Sequence, residues 1–243
     1  MFITYKFFFS ALIAQSFDRL LHPLDNVLSV QQKYSLSIIE SFNFIKSRYG
    51  LKGFYRGFFQ PFLTFGIARI IMLSTYYHLK YYLMKENFSY SCVIFCGIIA
   101  GIVDATLTAP AENYRIRSLF ALRNEPKKIS HNYRGYIALL LRSILGASII
   151  LAGTDLLILS RVFPSVINSY FLCALFTGII SQFFTSPFDV WKNLIMSDNT
   201  KTPYEHLSSM IAAKNFYSGI MTKMIRMGLG SGIVISIMNY LIS

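Results

Sequence analysis

Three carboxylates each stand two residues after a proline, in Pro23-Leu24-Asp25, Pro110-Ala111-Glu112 and Pro187-Phe188-Asp189. Two of them have a base three residues further on: Arg115 after Glu112, and Lys192 after Asp189. After Asp25 that position is Leu28. Acid and base three apart share one face of a helix. The surrounding stretches are apolar, and ionisable groups inside a membrane are costly and usually functional. A desolvated ion pair is favourable only while both partners are in place, so such pairs can latch one state and part in another. Charges at headgroup depth would merely snorkel, but the acid–base spacing occurs twice, which favours a latch.

Nothing in the sequence points to bond-making chemistry. His22, His78, His131 and His206 are scattered, and no nucleophile elbow, phosphate loop or zinc-spacing motif accompanies them. No enzyme activity, cofactor or metal is therefore expected. Cys92 and Cys96 are four apart on an apolar stretch, a spacing able to hold a metal. They lack His or carboxylate partners at ligand spacing, so they are expected to pack. With Cys173 they make three cysteines, too few for a disulfide framework.

The elements that must carry these groups are membrane spans. The chain has 243 residues, 54% of them hydrophobic and 14% charged, with a mean hydropathy of +0.48. Soluble domains carry about 25% charged residues. A spanning helix needs about 20 mostly apolar residues. The pattern predicts six spans, at 7–32, 58–84, 91–118, 136–160, 167–195 and 219–242. Residues 1–9 carry one lysine ahead of an apolar run and read as the start of the first span, with a signal peptide as the alternative.

The spans repeat. Thirteen and nine residues before the three prolines stand Ser10 and Ala14, Gly97 and Gly101, Ala174 and Gly178. All six are small, which lets helices approach closely in lipid. Beyond each proline comes Tyr55-Arg56-Gly57, Tyr133-Arg134-Gly135 or Tyr217-Ser218-Gly219, each opening the next apolar run. The predicted organisation is one domain over 1–243 with repeats at about 7–84, 91–160 and 167–242. Pro23, Pro110 and Pro187 are expected to kink the odd-numbered spans and converge them about an axis along the membrane normal.

Most lysines and arginines fall in the connections after spans 1, 3 and 5, which places both termini on the opposite side. Segments 37–49 and 204–214 read as short amphipathic surface helices; the middle repeat has no counterpart. The net charge of +12 is spread over three connections without a nucleic-acid motif. Anionic lipid, such as cardiolipin, is the expected partner, and nucleic acid is not.

Pro-x-acid followed by aromatic-x-Gly, three times over, with the downstream base in two repeats and Arg before the glycine in two, resembles the mitochondrial carrier family. The stretch Gly50-Leu51-Lys52-Gly53-Phe54-Tyr55-Arg56-Gly57 is especially close. The resemblance implies an all-α membrane protein with six helices in three pseudo-threefold repeats around a central cavity. It implies a monomer that carries solutes across the mitochondrial inner membrane by alternating access between two gates. The matrix gate would pair Asp25 with Arg115 and Glu112 with Lys192, braced by Gln32, and leave Asp189 facing Leu28. The opposite gate would retain only remnants, Tyr77, Lys80, Asp155 and Asn239, with no complete pair: Lys80 would face Asn239, and Asp155 would face Ile242. Substrate contacts would be Thr64, Arg142 with the adjoining Ser143, and Arg226, with Arg69 and Lys223 nearby. Two arginines facing one cavity predict a small anionic solute: a carboxylate, a nucleotide or a phosphate-bearing cofactor. Alternatively, one arginine is structural and pairs with Asp18 or Asp104. The competing function is a carrier-derived adaptor or insertion factor that no longer transports.

Overall fold

The computed structural model describes residues 13, 20–83, 89–120, 133–160, 166–198 and 200–242, apart from the side chains of 59–63, 166–169 and 238–242. The described residues are all-helical. Helix α1 is His22–Tyr34, α2 is Ile38–Tyr49, and a 3₁₀ turn, Leu51–Tyr55, leads into α3, Phe59–Leu83. Then come α4, Tyr90–Leu119; α5, Tyr136–Ala147; a π turn, Ser148–Ala152; and α6, Gly153–Leu159. The chain continues through α7, Val166–Ser197; α8, Pro203–Ala212; and α9, Ile220–Ile242.

Among the described residues four stretches are long and apolar enough to cross a membrane: Tyr90–Leu119, Tyr136–Leu159, Tyr170–Ser197 and Ile220–Ile237. Helix α3 matches a further predicted span in extent, and most of the first predicted span lies outside the described residues. Phe95, Phe176, Phe183 and Phe184 are exposed on α4 and α7. Such apolar faces suit contact with lipid rather than water.

Small residues set the spacing between helices. A Cβ added to Gly101 would lie 2.6 Å from the Cα of Ile144, and one on Gly97 2.8 Å from the Cα of Ser148. Helix α4 therefore meets α5 and the π turn backbone to backbone. Gly178 has the same relation to α9, where its Cβ would fall 3.1 Å from the carbonyl of Met227. Ser231 fastens that approach by donating to the Ala174 carbonyl at 2.7 Å. Ser10 and Ala14, the corresponding positions of the first repeat, lie outside the described residues.

Each even-numbered span opens on a glycine in the left-handed region, with φ of 75° at Gly57 and 74° at both Gly135 and Gly219. Side chains with a Cβ rarely adopt that conformation. In two repeats an asparagine three residues past the proline secures this turn. Asn26 Nδ2 donates to the carbonyls of Phe54 and Arg56 at 2.9 and 3.1 Å, and Asn113 Nδ2 to that of Arg134 at 2.9 Å. The third repeat has Val190 there and lacks this side-chain donor.

The surface helices start with matching capping boxes, which satisfy otherwise orphaned N–H groups. Ser37 and Glu40 exchange hydrogen bonds at the start of α2, and Thr202 and Glu205 do so at the start of α8. Pro110 and Pro187 lie inside continuous helices, each removing one backbone donor. Pro23 stands in the first turn of α1 as described, where no donor is missed.

Candidate functional site

The odd-numbered spans bring their Pro-x-acid motifs to one polar cavity, and α3, α5 and α9 add cations to its wall. Among the described residues, its charged lining comprises four carboxylates and six cations, an excess of two positive charges. The carboxylates are Asp25, Asp104, Glu112 and Asp189. The cations are Arg69, Arg115, Arg142, Lys192, Lys223 and Arg226.

The pairs run across helices. Arg226, from α9, grips the Asp25 carboxylate with two donors, Nε to Oδ1 at 2.7 Å and Nη2 to Oδ2 at 3.2 Å. Glu112 Oε2 lies 3.1 Å from Arg115 Nη2 on its own helix and 3.4 Å from Lys192 Nζ on α7. Asp189 meets three cations: Lys223 Nζ at 2.5 Å, Arg142 Nε at 3.3 Å and Lys192 Nζ at 3.4 Å. Arg69 Nη1 lies 3.7 Å from Asp104, which also accepts from the Ser143 hydroxyl at 3.2 Å. In a water-poor cavity each of these charges depends on its partners.

Beyond the carboxylates the odd spans close together. Lys33, Phe120 and Ser197 each stand ten residues past their repeat's proline. Lys33 Nζ donates to the Ser197 carbonyl at 2.9 Å and sits 4.0 Å from the centroid of the Phe120 ring. Three equivalent positions thus meet at one point. Residues 164–242, which hold the third proline motif and its glycine turn, match the family described as mitochondrial carrier protein. That stretch, about a third of the chain, is similar to the mitochondrial carrier family, whose members carry solutes. No curated protein matches the chain. The apolar helices suit a multi-pass membrane protein.

In this protein several pairings differ from those the sequence implies. Asp25 was expected to meet Arg115, but Arg226 holds its carboxylate. The planar guanidinium from α9 offers two donors in line with the two oxygens. Arg115 turns to Glu112 one helical turn away and donates to the Asp25 backbone carbonyl at 3.2 Å and to Ser29 Oγ at 3.3 Å. Asp189, expected to face Leu28 without a base, is matched by Lys223, whose position in α9 supplies the missing charge. Gln32, expected to brace an ion pair, accepts from Asn193 Nδ2 instead, because Leu28 leaves no charge beside it.

The expected contact residues divide. Arg142 and Arg226 line the cavity, and Ser143 is buried against Asp104. Thr64 is not among the lining residues; Phe65, next in sequence, forms that part of the wall. Asp104 is taken by Arg69 rather than by a contact arginine, and Asp18 lies outside the described residues.

At the opposite end the expectation of no complete pair is overturned. Lys80 Nζ lies 2.6 Å from Asp155 Oδ2, and the buried Tyr76 hydroxyl donates to the same oxygen at 2.7 Å. The π turn accounts for this. One extra residue turns everything beyond it by about 100° relative to a plain α-helix. Counted from the glycines, Asp155 should match Tyr77; the extra residue brings it level with Tyr76. Tyr77 packs edge-on against Tyr76, with ring centroids 5.4 Å apart. The side chain of Asn239 lies outside the described residues.

Tyr76 and Asn193 are among the participants that sequence reading gave no role. Only a register shift at the π turn after α5 would have pointed to Tyr76, and no residue pattern announces it.

Proposed function

We propose that this carrier moves a small anionic metabolite, a carboxylate, a nucleotide or a phosphate-bearing cofactor, across the mitochondrial inner membrane by alternating access. The observation that carries the proposal is the excess of two positive charges among the described residues of the cavity wall, with Arg142 and Arg226 lining it. An uncompensated buried charge is costly, so a net-positive cavity favours an anion. Arg142, Ser143 and Arg226 are the substrate contacts. Asp25, Glu112, Arg115, Asp189 and Lys192 form the gate on the side of the basic connections, and Lys80 with Asp155 and Tyr76 closes the other. The functional unit is a single domain of three repeats, monomeric, in contact with anionic lipid such as cardiolipin.

The purified protein in cardiolipin-containing liposomes should take up a labelled anion from a panel of carboxylates, nucleotides and phosphate esters. Arg142→Ala and Arg226→Ala should each abolish that uptake. Undiminished uptake by both variants would remove the site. The adaptor reading drew on a missing opposite gate, and the Lys80–Asp155 pair weakens that argument.

A further inference from the structure

The two contact arginines are held very differently. Arg226 is gripped by two well-formed hydrogen bonds to Asp25. Among the described residues Arg142 has one ion pair, to Asp189 Oδ1, and that oxygen has no hydrogen bond of proper geometry to any described group. Oδ1 instead hangs between Arg142 Nε at 3.3 Å and Lys192 Nζ at 3.4 Å. The other oxygen, Oδ2, is held by Lys223 at 2.5 Å. Lys223 is itself buried at 1% exposure, with one further donor engaged by Thr185 Oγ1 at 3.0 Å. One carboxylate thus occupies the centre of a three-cation cage and satisfies one side of it poorly.

We propose that Asp189 is a resident stand-in for the transported anion: an incoming solute bearing at least two negative charges takes its place against Arg142 and Lys223, which makes Lys223 a specificity-determining residue. This rests on the anion-carrier reading above. The charge count sets the valence. Among the described residues the cavity wall carries two positive charges in excess, so a dianion balances that wall and a monoanion leaves it under-compensated. A dicarboxylate and a phosphate ester share this chemistry. The guanidinium of Arg142 offers either one a bidentate partner better aligned than Asp189 Oδ1. Displacement also frees Asp189 and Lys192 from the cage, which ties solute binding to loosening of the α4–α7 contact through Glu112 and Lys192. The internal carboxylate competes with solute, so apparent affinity is reduced by the fraction of molecules in which it holds the cage.

The test is thermal unfolding of the full-length protein in detergent at pH 8, with malonate, inorganic phosphate or acetate added at equal ionic strength. A bound anion raises the unfolding temperature by mass action. Malonate or phosphate should stabilise the wild type and acetate should not; the malonate and phosphate arms separate carboxylate from phosphate chemistry. Asp189→Asn should lower the dianion concentration giving the half-maximal shift by about tenfold, the equivalent of 1.4 kcal/mol. Lys223→Gln should raise it by about tenfold and leave the acetate response flat. Equal stabilisation by acetate and malonate, or unchanged dianion binding by Asp189→Asn, overturns the inference. Asp189→Asn strands three cations and can fail to fold; Lys223→Gln, in which Asp189 keeps Arg142 and Lys192, then decides, and an unchanged dianion response there overturns the inference. If no anion stabilises the wild type and liposomes take up none, the carrier reading falls and the inference with it. Uptake that depends on Arg142 alongside dianion binding that ignores Asp189 and Lys223 removes the inference alone.

Discussion

At the cavity, Glu112 touches two cations and Asp189 touches three, whereas at the far end Asp155 meets one lysine and one tyrosine hydroxyl. At the centre of the cavity mesh the side chains of Asp189 and Lys192 are 6% and 4% exposed and Glu112 13%, although Arg69 at the edge reaches 27%. Lys80 and Asp155 are 28% and 18% exposed. Burial decides what each set can do. A dry mesh is strong while complete and fails badly when one member is lost. A half-wet pair is weak and easily remade. The cavity side is therefore hard to part without a replacement counter-charge, and the far-end pair parts readily in water.

The largest effect that would test this contrast is at Glu112. Glu112→Gln leaves Arg115 and Lys192 short of a buried counter-charge and should destabilise the protein by about 3–5 kcal/mol. Thermal unfolding in detergent measures it; a loss below 1 kcal/mol would erase the difference between the two ends. At the far end, a double-mutant cycle of Lys80→Met and Asp155→Asn should return a coupling of no more than about 1 kcal/mol. Tyr76→Phe should cost a similar amount, about 1 kcal/mol, by leaving one hydrogen bond unmade. A far-end coupling as large as the Glu112 effect would make both ends alike. The smallest effect lies on the surface, away from either gate. Burial holds the His206 imidazole below its ordinary value, the neighbouring Asp198 carbonyl and carboxylate opposing that only in part. The unfolded segment then binds more protons than the folded one. The stability this gives α8 is present above the ordinary histidine value of 6.5 and is lost as pH falls through the lowered folded value. Amide exchange in α8 should quicken on acidification from pH 7.5 to about 5.5, while exchange in α4 stays flat.

Much of this arrangement was legible in the residues. The left-handed turns at Gly57, Gly135 and Gly219 follow from glycine after an aromatic and a polar residue in the same phase three times. The close approach of Gly101 and Gly178 to their neighbours follows from small residues on an apolar face. The partners within the cavity were harder to read. Arg226 and Lys223 reach Asp25 and Asp189 across helices, and the reach of a long flexible side chain has no spacing rule. Leu28 looked like a gap in a ring because the compensating charge comes from another span. The far-end pair was hidden by the π turn, which breaks the constant residue count that any comparison of repeats assumes.

That turn carries a genetic consequence. A helix that makes one wide turn holds one residue more than its neighbours need, so removing any single codon between Ser148 and Ala152 would leave the span intact as an ordinary helix of the same reach. Asp155 would swing away from Lys80 and toward the face its counterpart Tyr77 occupies. The Lys80–Asp155 pair is thus set by length rather than by side-chain identity, and a three-nucleotide deletion would undo it without altering a single charged residue.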